Sequence, residues 1–296
     1  MTPLLLAMPG NEALAERLGQ SLSWEIGALQ VRRFPDGEAN LRFLSSVDRR
    51  DVVLVCTLDR PDEKFLALYL AASIARELGA VRVGLVVPYL PYMRQDARFQ
   101  DGEGITSAHF ARLVSGFCDW LVTVDPHLHR HHELSEIYRI PARVVHASPV
   151  ISQWITHNLQ RPVVIGPDEE SEQWVAEVAK AAGCPYTVLQ KVRHGDRDVE
   201  VSVPQPELLK GMTPVLVDDI VSTARTMIAA TAHLHAAGLA APVCIGVHAL
   251  FAGDAYAALQ AAGIARIVSC NTVLHPTNAI DLSGAVAASV QALLAQ

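Results

Sequence analysis

Two adjacent carboxylates, Asp218 and Asp219, follow the apolar run Pro214-Val215-Leu216-Val217, and Ile220-Val221-Ser222-Thr223-Ala224-Arg225-Thr226 comes directly after them. The run has strand character, and Met227–Leu234 beyond it reads as a helix. A helix start leaves backbone N–H groups without partners, so with the Ser and Thr hydroxyls it can hold a phosphate. The two acids beside it can hold sugar hydroxyls or a metal. An ordinary strand-to-helix turn capped by Ser222 is the plainer account of the same residues.

Further polar groups stand just after other apolar runs. Phe34-Pro35-Asp36-Gly37-Glu38 joins an aromatic to two acids, which suits a nucleotide, although Asp-Gly is also a turn signal. Pro88–Arg98 is a stiff stretch with two prolines and two tyrosines, and it supplies Arg94, Gln95 and Arg98. Arginine suits forked contacts with phosphate; pairing with Asp96 and Asp101 is the alternative use of these side chains. Asp125-Pro126-His127-Leu128-His129-Arg130-His131-His132 is rich in histidine, but no HExxH pattern or cysteine completes a zinc set. Asp125 and His127 read as hard-metal and phosphate-handling groups, and the remaining histidines as surface residues. Asp168, in Gly166-Pro167-Asp168-Glu169-Glu170, lies at a helix start and can hold magnesium. Lys191-Val192-Arg193-His194-Gly195-Asp196-Arg197-Asp198 is polar and cationic between apolar stretches, as a mobile loop would be, or the tip of a basic hairpin.

These stations need a frame that collects strand ends. Strand-length runs (among them Leu4–Met8, Asp51–Leu58, Val81–Tyr89, Trp120–Asp125, Val163–Pro167, Pro214–Asp219 and Val243–Leu250) alternate with helix-period segments such as Asp62–Leu78, Thr106–Phe117 and Ala279–Leu294. That alternation means βαβ units and mainly parallel sheets flanked by helices, whose ligands gather at the carboxyl ends of the strands. A break near His146–Pro149 divides the chain into two similar α/β domains, 1–147 and 148–296, with the last helix a candidate to pack back on the first.

The 296 residues are 50% hydrophobic and 19% charged, enough for a sizeable core, and the net charge of −7 argues against a nucleic-acid partner. Five scattered cysteines without zinc spacing, no signal-like N-terminus and no membrane-length apolar run point to a cytoplasmic protein.

The Asp218–Thr226 segment resembles the phosphoribosyl-diphosphate (PRPP) loop of the phosphoribosyltransferase superfamily. Ala224-Arg225 departs from it, since two small residues, often glycines, usually stand there. Taken in order, all the stations resemble the ribose-phosphate diphosphokinase family, which implies two type I phosphoribosyltransferase-like domains and transfer of a diphosphoryl group from ATP to ribose 5-phosphate. The resemblance assigns Phe34, Asp36, Gly37, Glu38, Arg94, Gln95 and Arg98 to ATP, and His127 and Asp168 to Mg²⁺. It assigns Lys191 and Arg193, the latter also near the sugar phosphate, to catalysis. Asp218, Asp219, Ser222, Thr223, Ala224, Arg225 and Thr226 fall to ribose 5-phosphate. Asp-Pro-His, Gly-Pro-Asp-Glu, Ser222 in place of an acid and the compact length look like the shorter archaeal-type members, for which phosphate dependence and ADP inhibition are not assumed. A homo-oligomer is also implied.

Overall fold

The computed structural model describes residues 3–128, 130–168, 171–194 and 198–295, with the backbone alone at 191–194 and 198–201. The chain divides into two compact units, Met1–Val145 with Thr272–Leu274 and Leu282–Gln296, and His146–Asn271 with His275–Asp281.

The first unit is built on strands β1 (Leu4–Ala7), β2 (Glu25–Gly27), β5 (Asp51–Val55), β6 (Arg82–Val87), β7 (Trp120–Val124) and β8 (Ala142–Val145). They form one sheet in the order β2-β1-β5-β6-β7-β8, and every neighbouring pair is parallel. β5, β6 and β7 are almost entirely buried, as expected for parallel strands covered on both faces. Helices α1 (Glu12–Leu22), α2 (Pro61–Glu77) and α3 (Thr106–Ser115) supply the cover; α1 buries Ala15, Leu18 and Leu22 along one stripe. Outside the sheet, β3 (Leu29–Arg33) and β4 (Ala39–Phe43) form an antiparallel ribbon.

The second unit repeats the plan. Its sheet comprises β9 (Pro162–Gly166), β10 (Tyr186–Val188), β13 (Thr213–Val221), β14 (Val243–Ala249), β15 (Arg266–Cys270) and β16 (Asn278–Ile280), in the order β10-β9-β13-β14-β15-β16 and again all parallel. Helices α4 (Ser148–Asn158), α5 (Glu172–Ala182), α6 (Pro206–Leu209), α7 (Arg225–Ala236) and α8 (Ala255–Ala261) accompany it, and β11 (Gln190–His194) with β12 (Asp198–Ser202) makes a second antiparallel ribbon. The final helix, α9 (Ser283–Leu294), belongs to the first unit, where it packs on α1, β7 and β8.

Three expectations need correction. Lys191–Asp198, read as a mobile loop or a hairpin tip, is in its described part the two arms of the β11–β12 ribbon, so only the loop reading is corrected: Val199 and Val201 alternate with polar residues and pair with Arg193 and Lys191. β13 does not end at the acids but runs through Asp218 and Asp219 to Val221, since β14 offers ladder partners as far as Ile220 and Val221 after the pairing with β9 stops at Leu216. The last helix begins at Ser283 rather than Ala279, and Asn278–Ile280 pairs with β15 as a strand.

Candidate functional site

In the first unit the expected nucleotide residues lie on two tied segments. Phe34-Pro35-Asp36-Gly37-Glu38 is the turn of the β3–β4 ribbon, not a connection of the main sheet. The turn closes by Phe34 N–H donating to the Glu38 carbonyl (2.8 Å) and Gly37 N–H to the Phe34 carbonyl (2.9 Å), with Gly37 at φ +94°, where a side chain would be strained. Phe34, Asp36 and Glu38 are exposed, and the Arg32 guanidinium lies 5.3 Å from the centre of the Phe34 ring. Arg33 fastens the turn, donating to the Gly37 carbonyl (2.9 Å) and to the Glu63 carbonyl in the first turn of α2.

Arg94, Gln95 and Arg98 lie on the loop leaving β6, all three exposed. Tyr92, strained at φ +64°, anchors this loop: its ring sits 4.9 Å from that of Phe110 and its hydroxyl donates to Asp62. That hydrogen bond, with burial, pushes the phenol up to about 12. Thus the ribbon turn and the Arg94 loop are both fastened to the first turn of α2. The Gln95 carbonyl also accepts from Ser107 N–H (3.2 Å) at the start of α3.

His127 leaves β7, the neighbour of β6, at the same carboxyl edge; Val124 N–H donates to the Pro88 carbonyl (3.2 Å) where the two connections part. His127 is half-buried, and Asp125 before it has φ +28°. Backbone strain at a strand end is a recurrent mark of functional turns. His131 is held structurally: its Nδ1 lies 3.1 Å from Glu136 Oε2, within the capping box that Glu133 and Glu136 make around the short 3₁₀ turn Leu134–Glu136. His129 lies outside the described residues. The alternative pairing of Asp96 with the arginines of its own loop is not found; Asp96 pairs with Arg130 (2.7 Å). Neither Arg130 nor the Tyr92 anchor was singled out from the sequence, because both act through partners more than twenty-five positions away.

In the second unit, Asp218 and Asp219 are half-buried near the end of β13, and Asp168 follows the adjoining strand β9. Close surroundings, then the Asp219 charge and, more weakly, the Asp168 charge push the Asp218 carboxyl well above the usual carboxylate range. Asp219 Oδ1 accepts from Ile220 N–H (2.7 Å). Asp168 accepts from Ser171 N–H at its carboxylate (3.2 Å) and from the Ser171 hydroxyl at its carbonyl (2.6 Å). The Asp219 and Asp168 charges thus both act on Asp218, a crowding that a divalent cation or donating sugar hydroxyls would relieve.

Ser222, Thr223 and Ala224 connect β13 to α7. Ala224 takes φ +58°, the left-handed conformation usual for glycine, so the backbone makes the tight turn despite the added methyl group. α7 then opens at Arg225, and Arg225 and Thr226 are exposed in its first turn. Lys191 and Arg193 stand two positions apart on β11, opposite Val201 and Val199. Among the described residues, no group of three or more His, Cys, Asp or Glu is gathered as a metal cluster, and no helix is long and apolar enough to cross a membrane.

Comparison with known proteins gives the family. Residues 133–283 match the phosphoribosyl transferase domain, and residues 4–117 match the N-terminal domain of ribose phosphate pyrophosphokinase. The chain is 34% identical over 292 residues to a ribose-phosphate pyrophosphokinase of Methanopyrus kandleri, covering 98% of this chain and 99% of the relative. It is 32% identical over 275 residues to one from Saccharolobus solfataricus, covering 91% and 93%. A crystal structure of phosphoribosylpyrophosphate synthetase from Mycobacterium smegmatis shares the fold, with a TM-score of 0.87, 21% identity and coverage of 100% and 99%. Two sheets of one strand order, each with its polar groups at the carboxyl edge, are therefore those of an enzyme, and the chain belongs to the ribose-phosphate pyrophosphokinase family.

Proposed function

We propose that the first unit binds ATP and the second ribose 5-phosphate, and that the β,γ-diphosphoryl group passes to the sugar 1-hydroxyl with release of AMP. The observation that carries the reading is the turn from Asp218 to Thr226: two acids on a central strand, then a tight bend at Ala224, then a helix opening with exposed N–H groups. The 5-phosphate sits on those N–H groups and on the hydroxyls of Ser222, Thr223 and Thr226, with Arg225 adding charge. Asp218 and Asp219 accept from the 2- and 3-hydroxyls. Phe34 stacks on the base, Asp36 and Glu38 accept from it, and Arg94, Gln95 and Arg98 take the phosphates.

Phosphoryl transfer asks the protein chiefly for positioning and positive charge. Lys191 and Arg193 supply that charge. His127 in the first unit and Asp168 in the second are each a residue that would hold Mg²⁺, the Asp168 carboxylate supplying the oxygen donor a hard cation prefers; the ion when bound would neutralise charge on the phosphates. Five free cysteines, four of them buried, suit a reducing cytoplasm. Exposed Leu66 and Tyr69 on α2 and Leu113 on α3 support an assembly of identical chains.

The test is incubation with ATP, Mg²⁺ and ribose 5-phosphate. AMP release is expected, whereas diphosphate release from PRPP plus a nucleobase would mark a phosphoribosyltransferase instead. Lys191→Ala should lower kcat by about a hundredfold, roughly 3 kcal/mol of lost charge stabilisation, while ATP still binds. Near-normal turnover would remove the β11–β12 ribbon from the chemistry.

A further inference from the structure

We propose that Arg130 is a positioning residue for the nucleotide: by neutralising Asp96 it keeps the arginines of the Arg94–Arg98 loop available for the triphosphate. The inference rests on the assignment of that loop to ATP.

Asp96 stands between Arg94 and Arg98, both exposed, yet its own side chain is only 3% exposed. A carboxylate removed from water needs a cationic partner. The nearest cations in sequence are the loop's own, but among the described residues neither Arg94 nor Arg98 pairs with it. The partner is Arg130, thirty-four positions on, whose Nη1 donates to Asp96 Oδ1 at 2.7 Å. The same guanidinium lies 5.5 Å from the centre of the Phe99 ring, on the other side of Arg98. Arg130 thus makes two contacts to one loop, a charged one beneath and an aromatic one at its flank.

An ion pair between two exposed groups contributes little. This pair is asymmetric: Arg130 is about half exposed, but Asp96 is not, so loss of Arg130 leaves a shielded carboxylate uncompensated. The least costly relief is for Arg94 or Arg98 to turn inward onto Asp96, which withdraws a cation from the ligand. Arg130 also lies three residues after His127, so the pair fixes the loop leaving β6 against the loop leaving β7.

Arg130→Ala should raise the KM for ATP about tenfold, the equivalent of one lost charge-assisted contact, and leave the KM for ribose 5-phosphate within about twofold. Adding Asp96→Asn to that variant removes the charge that competes for Arg94 and Arg98, and should return the KM for ATP most of the way to wild type. A merely structural tether would not be restored this way. Arg130→Lys, which keeps the charge, should stay near wild type. The inference is overturned if Arg130→Ala leaves the KM for ATP unchanged, if Asp96→Asn fails to restore it, or if Arg130→Lys behaves like Arg130→Ala. Arg94→Ala separates the two levels of argument. If it raises the KM for ATP and Arg130→Ala does not, only the role of Arg130 is lost; if it has no effect, the loop is not the ATP loop and this inference goes with that assignment.

Discussion

Asp218, proposed to hold the sugar hydroxyls, is a residue at which folding and the proposed binding make opposite demands. Its surroundings and the charge of Asp219 hold the carboxyl well above its ordinary range, so between the unfolded value and the raised native one the folded protein retains a proton that the unfolded chain gives up. The native state then binds more protons than the unfolded one, and stability falls as pH rises above the unfolded value near 3.8. A sugar hydroxyl, by contrast, donates best to the ionised form. Asp218→Asn removes the penalty and the acceptor together. In thermal melts of the ligand-free protein, this variant should melt above wild type at about pH 8, with the gap closing toward about pH 4. A gap independent of pH would show that the carboxyl pays no electrostatic penalty there. The same variant should bind ribose 5-phosphate more weakly at every pH, as expected of functional groups placed where they destabilise the fold.

The two antiparallel ribbons occupy the same place in the chain order of the two units: each follows the edge strand, β2 or β10, and precedes the central strand, β5 or β13. One presents Phe34–Glu38 at its turn and the other carries Lys191 and Arg193 on an arm. A two-stranded ribbon is marginal on its own, so its fastening matters. For β3–β4 the fastening is Arg33, which reaches both the Gly37 carbonyl and the Glu63 carbonyl on α2. Arg33→Ala should therefore speed hydrogen exchange at the Phe34 and Glu38 amides and raise the KM for ATP several-fold, with kcat nearly unchanged; an unmoved KM would make the turn a bystander. These ribbons were the least legible part of the sequence. β5, β6 and β7 are unbroken apolar runs buried on both faces, which composition alone reveals. The ribbons are short, β3 is largely exposed and β4 half-buried, so only weak alternation marks them, such as Val199, Val201 and Val203 against Asp198, Glu200 and Ser202. The acids of β13 were legible both as chemistry and as the end of a strand, but not the continuation to Val221, which pairing of Ile220 and Val221 with β14 imposes. Asp96 and Arg130 could not be joined from sequence, since nothing local links residues so far apart.

Across the whole chain, one strand order is used twice but the polar groups are not placed at equivalent ends. In the second unit they follow β9 and β13; in the first, the corresponding ends of β1 and β5 are tied into structure. Asn11 Oδ1 accepts from Thr57 N–H (2.7 Å), and the Thr57 hydroxyl donates to the carbonyl of Thr272 (2.6 Å), a residue of the returning C-terminal segment. Lys64 pairs with Asp59 just beyond. The first unit therefore presents its candidate residues after β6 and β7 and on its ribbon, and it depends on the end of the chain for completion. α9 buries Val286, Val290 and Leu293 against α1, β7 and β8. At roughly 1.5–3 kcal/mol for each large side chain, these contribute on the order of 5 kcal/mol or more, comparable with the 5–15 kcal/mol that holds a typical domain folded. Truncation after Asp281 removes none of the candidate site residues, yet it should abolish ATP binding and the cooperative melting of the first unit. Val290→Asp, a milder lesion of the same face, should lower the melting temperature and weaken ATP binding in step. If the truncated chain bound ATP with unchanged affinity, α9 would be an accessory to the first unit and not part of its core.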